Sequence, residues 1–259
     1  MTIAVDHRSH RIGRPTAGSL ARLLGLGYGV AVYAIFLATL LFAVGFISGV
    51  VVPKHMDSGT IWPSSVALGI DLQLLGLFAA QHSGMARRGL KRVLTGHIPP
   101  LMERSTYVLC ASLVLILLFA AWQPLPAVVW QAADPQAVAA IRSLSVFGWL
   151  LVFATFLTGH FEWFGRKQVV LNFAGRTASA IQLRTPGLYR LVRHPLYLGF
   201  MLAFWAAPVM TAGHFLFAGV MTAYMFGAIW LEERDLLAFF GAQYRQYRDR
   251  VAMLLPGIF

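Results

Sequence analysis

The sequence predicts an all-α fold, a polytopic helical bundle with five to six spans in an integral membrane protein. Hydrophobic residues make up 58% of its 259 residues and charged residues only 12%, and the mean hydropathy is +0.67. A soluble domain of this length does not need so apolar a composition to build its core. The apolar residues also form long runs with most of the basic residues between them, which is the pattern that membrane topology requires.

Three regions follow one another along the chain. The first, 1–22, is basic, and it is too polar for too long to be a signal peptide. The second, 23–164, is predicted to hold four membrane helices, whose apolar runs are about 23–52, 62–81, 107–122 and 144–164. The Asp134-Pro135 stretch between the last two runs is predicted to be a loop. The third, 165–259, begins with a basic segment and contains the longest apolar run.

That longest run, 196–231, exceeds the length of a single span. Its 36 residues would form a helix of about 54 Å, whereas the hydrocarbon core of a bilayer is about 30 Å thick. The run is therefore predicted to be a helical hairpin that turns at 212–214, where Ala-Gly-His follows the helix-weakening Pro208. Consequently, the two ends of the run return to the same side of the membrane.

The distribution of charge supports the same topology. If the N-terminus is inside, 19 of the 21 basic residues fall in inner segments, and only Lys54 and Arg142 fall outside. This asymmetry is typical of cytoplasmic loops, so both termini are predicted to be cytoplasmic. The net charge of +11 could indicate a nucleic-acid partner, but the basic residues lie between apolar runs rather than on one face. No nucleic-acid partner is therefore predicted.

Polar residues flank the hairpin at both of its ends. Arg193 and His194 precede it, and Pro195 suits the first turn of a helix, which places His194 at or near the N-cap. Such a helix N-terminus favours an anionic group. At the other end, Glu232 and Glu233 can accept hydrogen bonds from ribose hydroxyls or balance a cation. Alternatively, the first cluster is a topological anchor and the second a salt bridge at a helix end.

Two further features accompany these clusters. Tyr197 projects from the first turn of the predicted helix, and Gly199 allows another backbone or a ligand to approach closely. After the glutamates, apolar and aromatic residues recur at helical spacing, as in an amphipathic helix that lies in the membrane interface. These residues are Leu236, Phe240, Tyr244, Tyr247 and Val251. This cytoplasmic C-terminal helical stripe, interrupted by Gly241, is either a lid over a bound group or a C-terminal anchor.

These motifs resemble those of a family of membrane enzymes. R-H-P-x-Y-x-G, followed by E-E-x-x-L-x-x-x-F-G-x-x-Y-x-x-Y and Pro256, is similar to the isoprenylcysteine carboxyl methyltransferase type. Three stretches resemble the narrower, NnrU-like group of methanethiol S-methyltransferases: DLQLLGLFAAQHSGMAR (71–87), ERSTYVL (103–109) and HFEWFGRKQV (160–169). The resemblance covers most of the chain beyond residue 60.

The resemblance implies an enzyme of the bacterial cytoplasmic (inner) membrane that uses S-adenosyl-L-methionine (SAM) to methylate methanethiol to dimethyl sulfide. It also implies that the third region binds SAM. The residues predicted to bind it are Gln168, Tyr189, Arg193, His194, Tyr197, Leu198, Gly199, Glu232 and Glu233. The other expected partners are the small volatile thiol substrate, which can arrive through the bilayer, and membrane lipids. A homo-oligomer is compatible with the sequence.

The thiol must lose its proton, and the predicted catalytic residues are Asp71, His82, Tyr197 and Glu233. Asp71 lies within a span, where an ionisable residue is a functional hypothesis by default, although burial can instead leave it protonated or paired with an arginine. His82 lies three helical turns further along the same face, and it can equally be a hydrogen-bonded structural group. His160 and Glu162 end the fourth run on the same side, where snorkelling and ion pairing explain them as well.

Other functions fit parts of the sequence. A methyltransferase of another small thiol, or of a lipid-linked thiol or carboxylate, fits the same motifs. A membrane reductase of the sterol-reductase type, which binds NADPH, has a similar Tyr- and Arg-rich C-terminal region. The eight histidines and the single Cys110 show no metal-binding spacing, so no metal is predicted. A transporter is the weakest alternative, because charge within the spans is sparse and no inverted repeat is evident.

Overall fold

A computed structural model describes residues 19–87, 98, 102–163 and 187–257. Within these ranges the chain forms seven α-helices and two short β-strands. In chain order they are α1 (Ser19–Ser48), α2 (Ser64–Ala86), α3 (Glu103–Ala121), β1 (Val128–Gln131), α4 (Pro135–Trp163), α5 (Pro195–Trp205), β2 (Val209–Thr211), α6 (Ala212–Phe240) and α7 (Ala242–Arg248). A turn of 3-10 helix, Gly187–Arg190, precedes α5.

Five of these helices, α1, α2, α3, α4 and α6, are long and apolar enough to cross a membrane. The helix α5 is also apolar but has only 11 residues, and it packs against α6. The predicted all-α membrane bundle with a hairpin at its end is confirmed. The predicted division into three regions stays a prediction, because the basic segment 1–22 lies almost entirely outside the described residues.

The hairpin turns earlier than the sequence predicts. The turn occupies 206–211, whereas the predicted turn at 212–214 is the first turn of α6. Thr211 is the N-cap of α6, and its hydroxyl accepts a hydrogen bond from the backbone N–H of His214 at 3.2 Å. Threonine is a favoured N-cap residue, so this segment starts a helix rather than reversing the chain.

A two-stranded antiparallel sheet lies at this turn. In it, Val128 of β1 lies opposite Thr211 of β2, and Gln131 lies opposite Val209. The prediction contained no strands, because β1 has only four residues and β2 three, and each pairs with a segment distant in sequence. Periodicity within a short window cannot detect such a pairing.

The fourth span begins at Pro135, well before the predicted apolar run. Oδ2 of Asp134 accepts a hydrogen bond from the backbone N–H of Ala137 at 2.7 Å. Aspartate as the N-cap followed by proline at the first helical position is a common start signal. The predicted Asp134-Pro135 loop is therefore wrong, because these residues begin a helix whose first turns include the polar Gln136 and Arg142.

The helices alternate in direction, which gives the bundle two distinct ends. At one end, which we call the Lys54 end, Nζ of Lys54 donates to the backbone oxygen of Trp122 at 3.0 Å. The Thr211 hydroxyl donates there to Oδ1 of Asp57 at 2.6 Å. At the other end, the Arg193 end, α2 and α6 finish while α3 and α5 begin.

The core between the helices consists of large apolar and aromatic side chains. Buried members include Phe46 of α1, Leu75 of α2 and Leu118 of α3. Phe204 of α5 and Phe217 of α6 pack edge to face, with ring centroids 5.1 Å apart. This contact joins the two arms of the hairpin, and Phe217 also packs on Trp122 at the end of α3, with ring centroids 5.8 Å apart.

The helices α4 and α5 cross backbone to backbone. A Cβ added at Gly148 would lie 2.6 Å from the backbone nitrogen of Ala203, and one added at Gly199 would lie 2.8 Å from the backbone oxygen of Gly148. Small residues permit such close approach between membrane helices. The crossing fixes α5, and with it the Arg193-His194 segment at its start.

Candidate active site

The two polar clusters that flank the hairpin meet at the Arg193 end of the bundle. Nε of Arg193 donates to Oε1 of Glu233 at 2.8 Å, and Nε2 of His194 lies 3.1 Å from the same oxygen. Arg193 is 8% exposed and His194 5%. One carboxylate oxygen is therefore shared by two nearly buried groups, and it joins the start of α5 to the last third of α6.

His194 is the N-cap of α5, and Pro195 lies in its first turn, as predicted. The His194 side chain makes no capping hydrogen bond, because its Nε2 faces Glu233 instead. Its ring centroid lies 5.7 Å from that of Tyr197, one turn into the helix. The side chain of this N-cap residue therefore contacts Glu233 and does not cap the helix.

Arg193 also binds the segment that follows α7. Its Nη1 donates to the backbone oxygens of Arg248 and Val251 at 2.9 and 2.6 Å. The backbone N–H groups of Arg193 and His194 donate to the carbonyls of the two residues after Val251 at 2.8 and 3.1 Å. Arg193 was predicted to bind a cofactor, but these contacts engage its Nε and Nη1 with protein acceptors. In the structure, Arg193 binds residues 248–253 and holds them against the start of α5.

Tyrosines from the 3-10 turn and α7 extend this surface. The Tyr247 hydroxyl donates to the backbone oxygen of Tyr189 at 2.6 Å. Burial raises the pKa of Tyr247 to about 12, and it also raises the pKa of Tyr189 and that of Tyr244. All three are therefore neutral hydroxyls at physiological pH. Tyr189, a predicted cofactor residue, lies within electrostatic range of Glu232.

A second polar group, which we call the tyrosine cluster, lies inside the bundle beside the ion pairs. Its members come from four helices and are His82 and Ser83 of α2, Tyr107 of α3, Tyr197 of α5 and Tyr224 of α6. The Tyr197 hydroxyl lies beside the carboxylate of Glu232, and it lies within electrostatic range of the hydroxyls of Tyr107 and Tyr224. The hydroxyls of Ser83 and Tyr224 are 3.0 Å apart.

Aromatic rings surround His82 in this cluster. Its ring stacks on Phe78 with centroids 5.2 Å apart, and the rings of Tyr107 and Tyr224 lie 5.2 and 6.4 Å away. Nδ1 of His82 is buried and has no hydrogen-bond partner in the described part of the chain, and the same holds for Oε1 of Gln81. An unpaired buried polar atom is unfavourable, so both atoms are suited to contact a ligand.

Of the tyrosine cluster, only His82 and Tyr197 are predicted from the sequence as site residues. Ser83 and Tyr107 lie within the motif stretches QHSGMAR and ERSTYVL, which gave a signal for them. Tyr224 lies in the middle of the longest apolar run, and nothing in the sequence distinguishes it from a core aromatic residue.

Asp71, a predicted catalytic residue, does not join either cluster. It is fully buried near the Lys54 end, where its Oδ1 accepts a hydrogen bond from the backbone N–H of Gln123 at 2.9 Å. His82 follows on the same helix, but their separation of 11 positions corresponds to about 16 Å along the axis. This placement conflicts with a shared catalytic role for Asp71, Tyr197 and Glu233.

Two predicted cofactor residues also lie apart from the ion pairs of Glu233 and from the tyrosine cluster. Gly199 faces the backbone of α4, which fills the space that a ligand would need. Leu198 lines an apolar groove on another face of α5. Gln168 lies outside the described residues, as do the side chains of His160 and Glu162.

The apolar groove has a volume of about 930 Å³. Side chains that line it from the Lys54 end to the Arg193 end include Trp130, Leu144, Trp205, Met201, Leu198 and Leu255. Among the described residues that line it, only Arg193 is charged. The groove therefore suits an apolar chain better than a polar nucleoside.

Comparisons with known proteins match nearly the whole chain. Residues 98–251 match the family model described as "Protein of unknown function (DUF1295)". Methanethiol S-methyltransferase 1 of Bradyrhizobium diazoefficiens is 50% identical over 254 residues, which cover 97% of this chain and 89% of that protein. The methanethiol S-methyltransferase of Mycobacterium tuberculosis is 48% identical over 238 residues, covering 92% and 98%. Nurim of Sus scrofa is 34% identical over 181 residues, covering 66% and 68%. No solved structure gives a significant match.

Proposed function

Because the chain belongs to the family of methanethiol S-methyltransferases, we propose that it is a membrane enzyme that uses SAM to convert methanethiol to dimethyl sulfide. The observation that carries this proposal is the meeting of Arg193 and His194 with Glu233 at one end of the bundle. Tyr197 and Glu232 lie beside them. These residues belong to the two motifs by which the sequence resembles SAM-dependent membrane methyltransferases.

The residues around Tyr197 fit a cofactor that carries a sulfonium cation, a ribose and an amino-acid group. Glu232 and the unpaired Oε1 of Gln81 are acceptors, and the rings of Tyr197 and His194 offer faces to a cation. We assign SAM binding to these four residues and Tyr189. When bound there, SAM supplies an electrophilic methyl group on its sulfonium sulfur.

The two glutamates have different tasks in this proposal. Glu233 accepts from Arg193 and lies against His194, so it holds the site together. Glu232 lies beside the Tyr197 hydroxyl, and we assign its carboxylate to the cofactor. The first glutamate of the pair is therefore the ligand for ribose hydroxyls, and the second is a positioning residue.

Burial of the tyrosine cluster favours the methyl-transfer reaction. Methyl transfer from a sulfonium to a thiolate removes one positive and one negative charge, so exclusion of water assists it. The cluster also borders the assigned cofactor space through Tyr197, which lets the chain hold the sulfur and the methyl carbon in line.

The orientation in the membrane is part of the same proposal. We place the Arg193 end at the cytoplasmic face of a bacterial inner membrane, where a polar cofactor is available. Of the 21 basic residues, 19 then lie on the cytoplasmic side, as the positive-inside rule requires. Both termini are cytoplasmic in this arrangement.

The test uses purified full-length protein in nanodiscs, supplied with SAM and methanethiol. Gas chromatography should detect dimethyl sulfide in proportion to the demethylated cofactor. Calorimetry with SAM, its demethylated product and NADPH should show binding of the first two only. Binding of SAM without formation of dimethyl sulfide would show that the substrate is wrong, and binding of NADPH alone would show that the cofactor is wrong.

Two substitutions test the location of the site. Glu233→Ala removes the acceptor that joins α5 to α6, and Tyr197→Phe removes the hydroxyl that lies beside Glu232. Both should reduce turnover strongly while the protein still inserts into membranes. If both variants keep full activity, the site lies elsewhere.

The apolar groove favours one second candidate, methylation of a lipid-linked thiol or carboxylate. A lipid chain can lie along α5 with its reactive end near Arg193, which lines the groove. Met201→Trp narrows the groove. If the substrate is lipid-linked, this variant should lose activity on it and keep activity on methanethiol. A panel of short and lipid-linked thiols separates the two candidates directly.

A further inference from the structure

The tyrosine cluster holds a candidate acceptor for the proton that the proposed reaction releases. We propose that Nδ1 of His82 takes the thiol proton and that the rings of Tyr107 and Tyr224 hold the thiol beside it. This inference rests on the proposed function and names the residues that handle its thiol substrate.

Nδ1 of His82 is available to accept a proton. It is buried and lacks a hydrogen-bond partner within the described ranges, so a neutral imidazole breaks no protein hydrogen bond when it binds a thiol there. The residue is also held in place. Its backbone oxygen accepts from the Tyr107 hydroxyl at 3.2 Å, and its ring stacks on Phe78.

The rings of Tyr107 and Tyr224 flank the imidazole of His82. Their ring centroids lie 5.2 and 6.4 Å from that of His82, and sulfur makes favourable contacts with aromatic rings, so we assign both rings to the thiol that binds at Nδ1. The Tyr224 hydroxyl is paired with Ser83 at 3.0 Å, so its ring orientation is fixed. A thiol with one methyl group therefore meets rings on two sides and an acceptor nitrogen on a third.

Among the described residues, the titratable groups that face His82 are the hydroxyls of Tyr107 from α3 and Tyr224 from α6. Beyond them lie Tyr197 of α5 and Glu232 of α6, which lie beside each other. Tyr107 and Tyr224 already have hydrogen-bond partners. In this cluster, the imidazole is therefore the group that is free to take a proton.

The S–H bond of the thiol breaks, and its proton forms an N–H bond at Nδ1 of His82. The electron pair left on the thiol sulfur forms the new bond to the methyl carbon. The pair from the broken methyl–sulfonium bond stays on the donor sulfur, which becomes a neutral thioether. The imidazolium then releases the proton to water.

The test compares wild-type full-length protein with His82→Ala in nanodiscs. SAM binding, measured by calorimetry, should be unchanged, whereas turnover at neutral pH should fall by about 10²- to 10⁴-fold, the usual contribution of a general base. Turnover of the variant should rise about tenfold per pH unit, because only thiolate formed in water then reacts. Normal turnover of the variant, or a loss that does not recover with pH, overturns the assignment.

Two further readouts do not depend on that variant. Tyr224→Leu should raise KM for methanethiol more than it lowers kcat, and Tyr224→Phe, which keeps the ring, should raise KM less. In ¹⁵N-histidine spectra of the wild-type protein without SAM, a buried unprotonated Nδ1 should shift when methanethiol is added, because the thiol S–H donates to it; absence of that shift contradicts the proposal. Failure of the wild-type protein to make dimethyl sulfide would instead overturn the proposed function.

Discussion

Arg193 connects three parts of the chain through one residue. Its side chain pairs with Glu233 on α6 and binds two backbone carbonyls, one at the last residue of α7 and one after it, while its backbone N–H binds a third. Arginine suits this position because its planar guanidinium presents donors in several fixed directions. A lysine would place a single point charge there and could not satisfy the same acceptors.

Arg193→Gln should loosen the C-terminal segment. Breaking a buried ion pair destabilises by about 3–5 kcal/mol because it leaves an uncompensated charge, and the Glu233 side chain is only 15% exposed. Thermal stability should fall, and hydrogen–deuterium exchange over 248–253 should increase.

The matched control for this change is Arg234→Gln, one position further along α6. Its pair with Asp235 is 61% and 53% exposed, and exposed pairs contribute about 0–1 kcal/mol. Equal losses of stability in the two variants would show that the Arg193 contacts are no stronger than a surface pair.

Substitutions of Asp71 test whether this buried residue acts in catalysis or only in folding. Asp71→Asn keeps an oxygen that can accept from the backbone N–H of Gln123, so turnover should stay close to that of the wild-type protein. Asp71→Ala leaves that N–H unpaired and should lower stability by about 1–3 kcal/mol. Thermal unfolding and dimethyl sulfide formation measure the two effects. A large loss of turnover with normal stability in Asp71→Asn would restore Asp71 as a catalytic candidate.

At the scale of elements, the crossing of α4 and α5 positions the site. The short helix α5 carries His194 at its start and Tyr197 in its first turn, and its rotation decides which side chains face the bundle. Gly148 and Gly199 set that rotation, because each would collide with the other helix if it carried a Cβ.

Gly148→Ala should therefore destabilise the protein. The new methyl group would lie 2.6–2.9 Å from atoms of α5, and overpacking of this kind costs about 1–3 kcal/mol. Gly219→Ala on α6 is the matched control. Apart from the backbone of its own helix, no atom of the described residues lies within 4 Å of the added Cβ, so the better helix propensity of alanine should stabilise the protein by up to about 1 kcal/mol. Opposite shifts in unfolding temperature are expected, and shifts of the same sign would contradict the close crossing.

The sequence predicts elements well where local chemistry decides them. Pro195 and His194 mark the start of α5 correctly, because proline at the first turn is a local signal. The predicted position of the hairpin turn is wrong. The strand β2 in the turn pairs with β1, which is distant in sequence, and this pairing fixes where α5 ends. The tyrosine cluster is largely unpredicted, since it depends on how four helices rotate against one another.

At the scale of the whole molecule, the two ends of the bundle differ in chemistry. The Arg193 end holds the ion pairs and the tyrosine cluster, whereas the Lys54 end holds the small sheet and the buried Asp71. Every residue assigned to the proposed reaction lies at the Arg193 end. The assignment of that end to the cytoplasm is therefore the step on which access to SAM depends.

This orientation can be checked by labelling single cysteines in a Cys110→Ser background. Thr60→Cys, near the Lys54 end, should react with a membrane-impermeant maleimide on intact cells. Arg250→Cys, close to the Arg193 end, should react only after permeabilisation. Both wild-type positions are exposed, so failure to react is not explained by burial. The reverse pattern would invert the proposed orientation.

The brevity of α5 has a consequence for the surrounding lipid. Its 11 residues rise about 16 Å, and the turn at 206–211 with its sheet must cover the remaining depth. Pairing of β1 with β2 satisfies backbone groups that would otherwise be exposed to acyl tails. Hydrophobic mismatch should then make the bilayer locally thinner beside α5. When the protein is reconstituted in lipids of increasing chain length, we expect its stability to fall at a shorter chain length than that of a bundle whose helices all span the membrane.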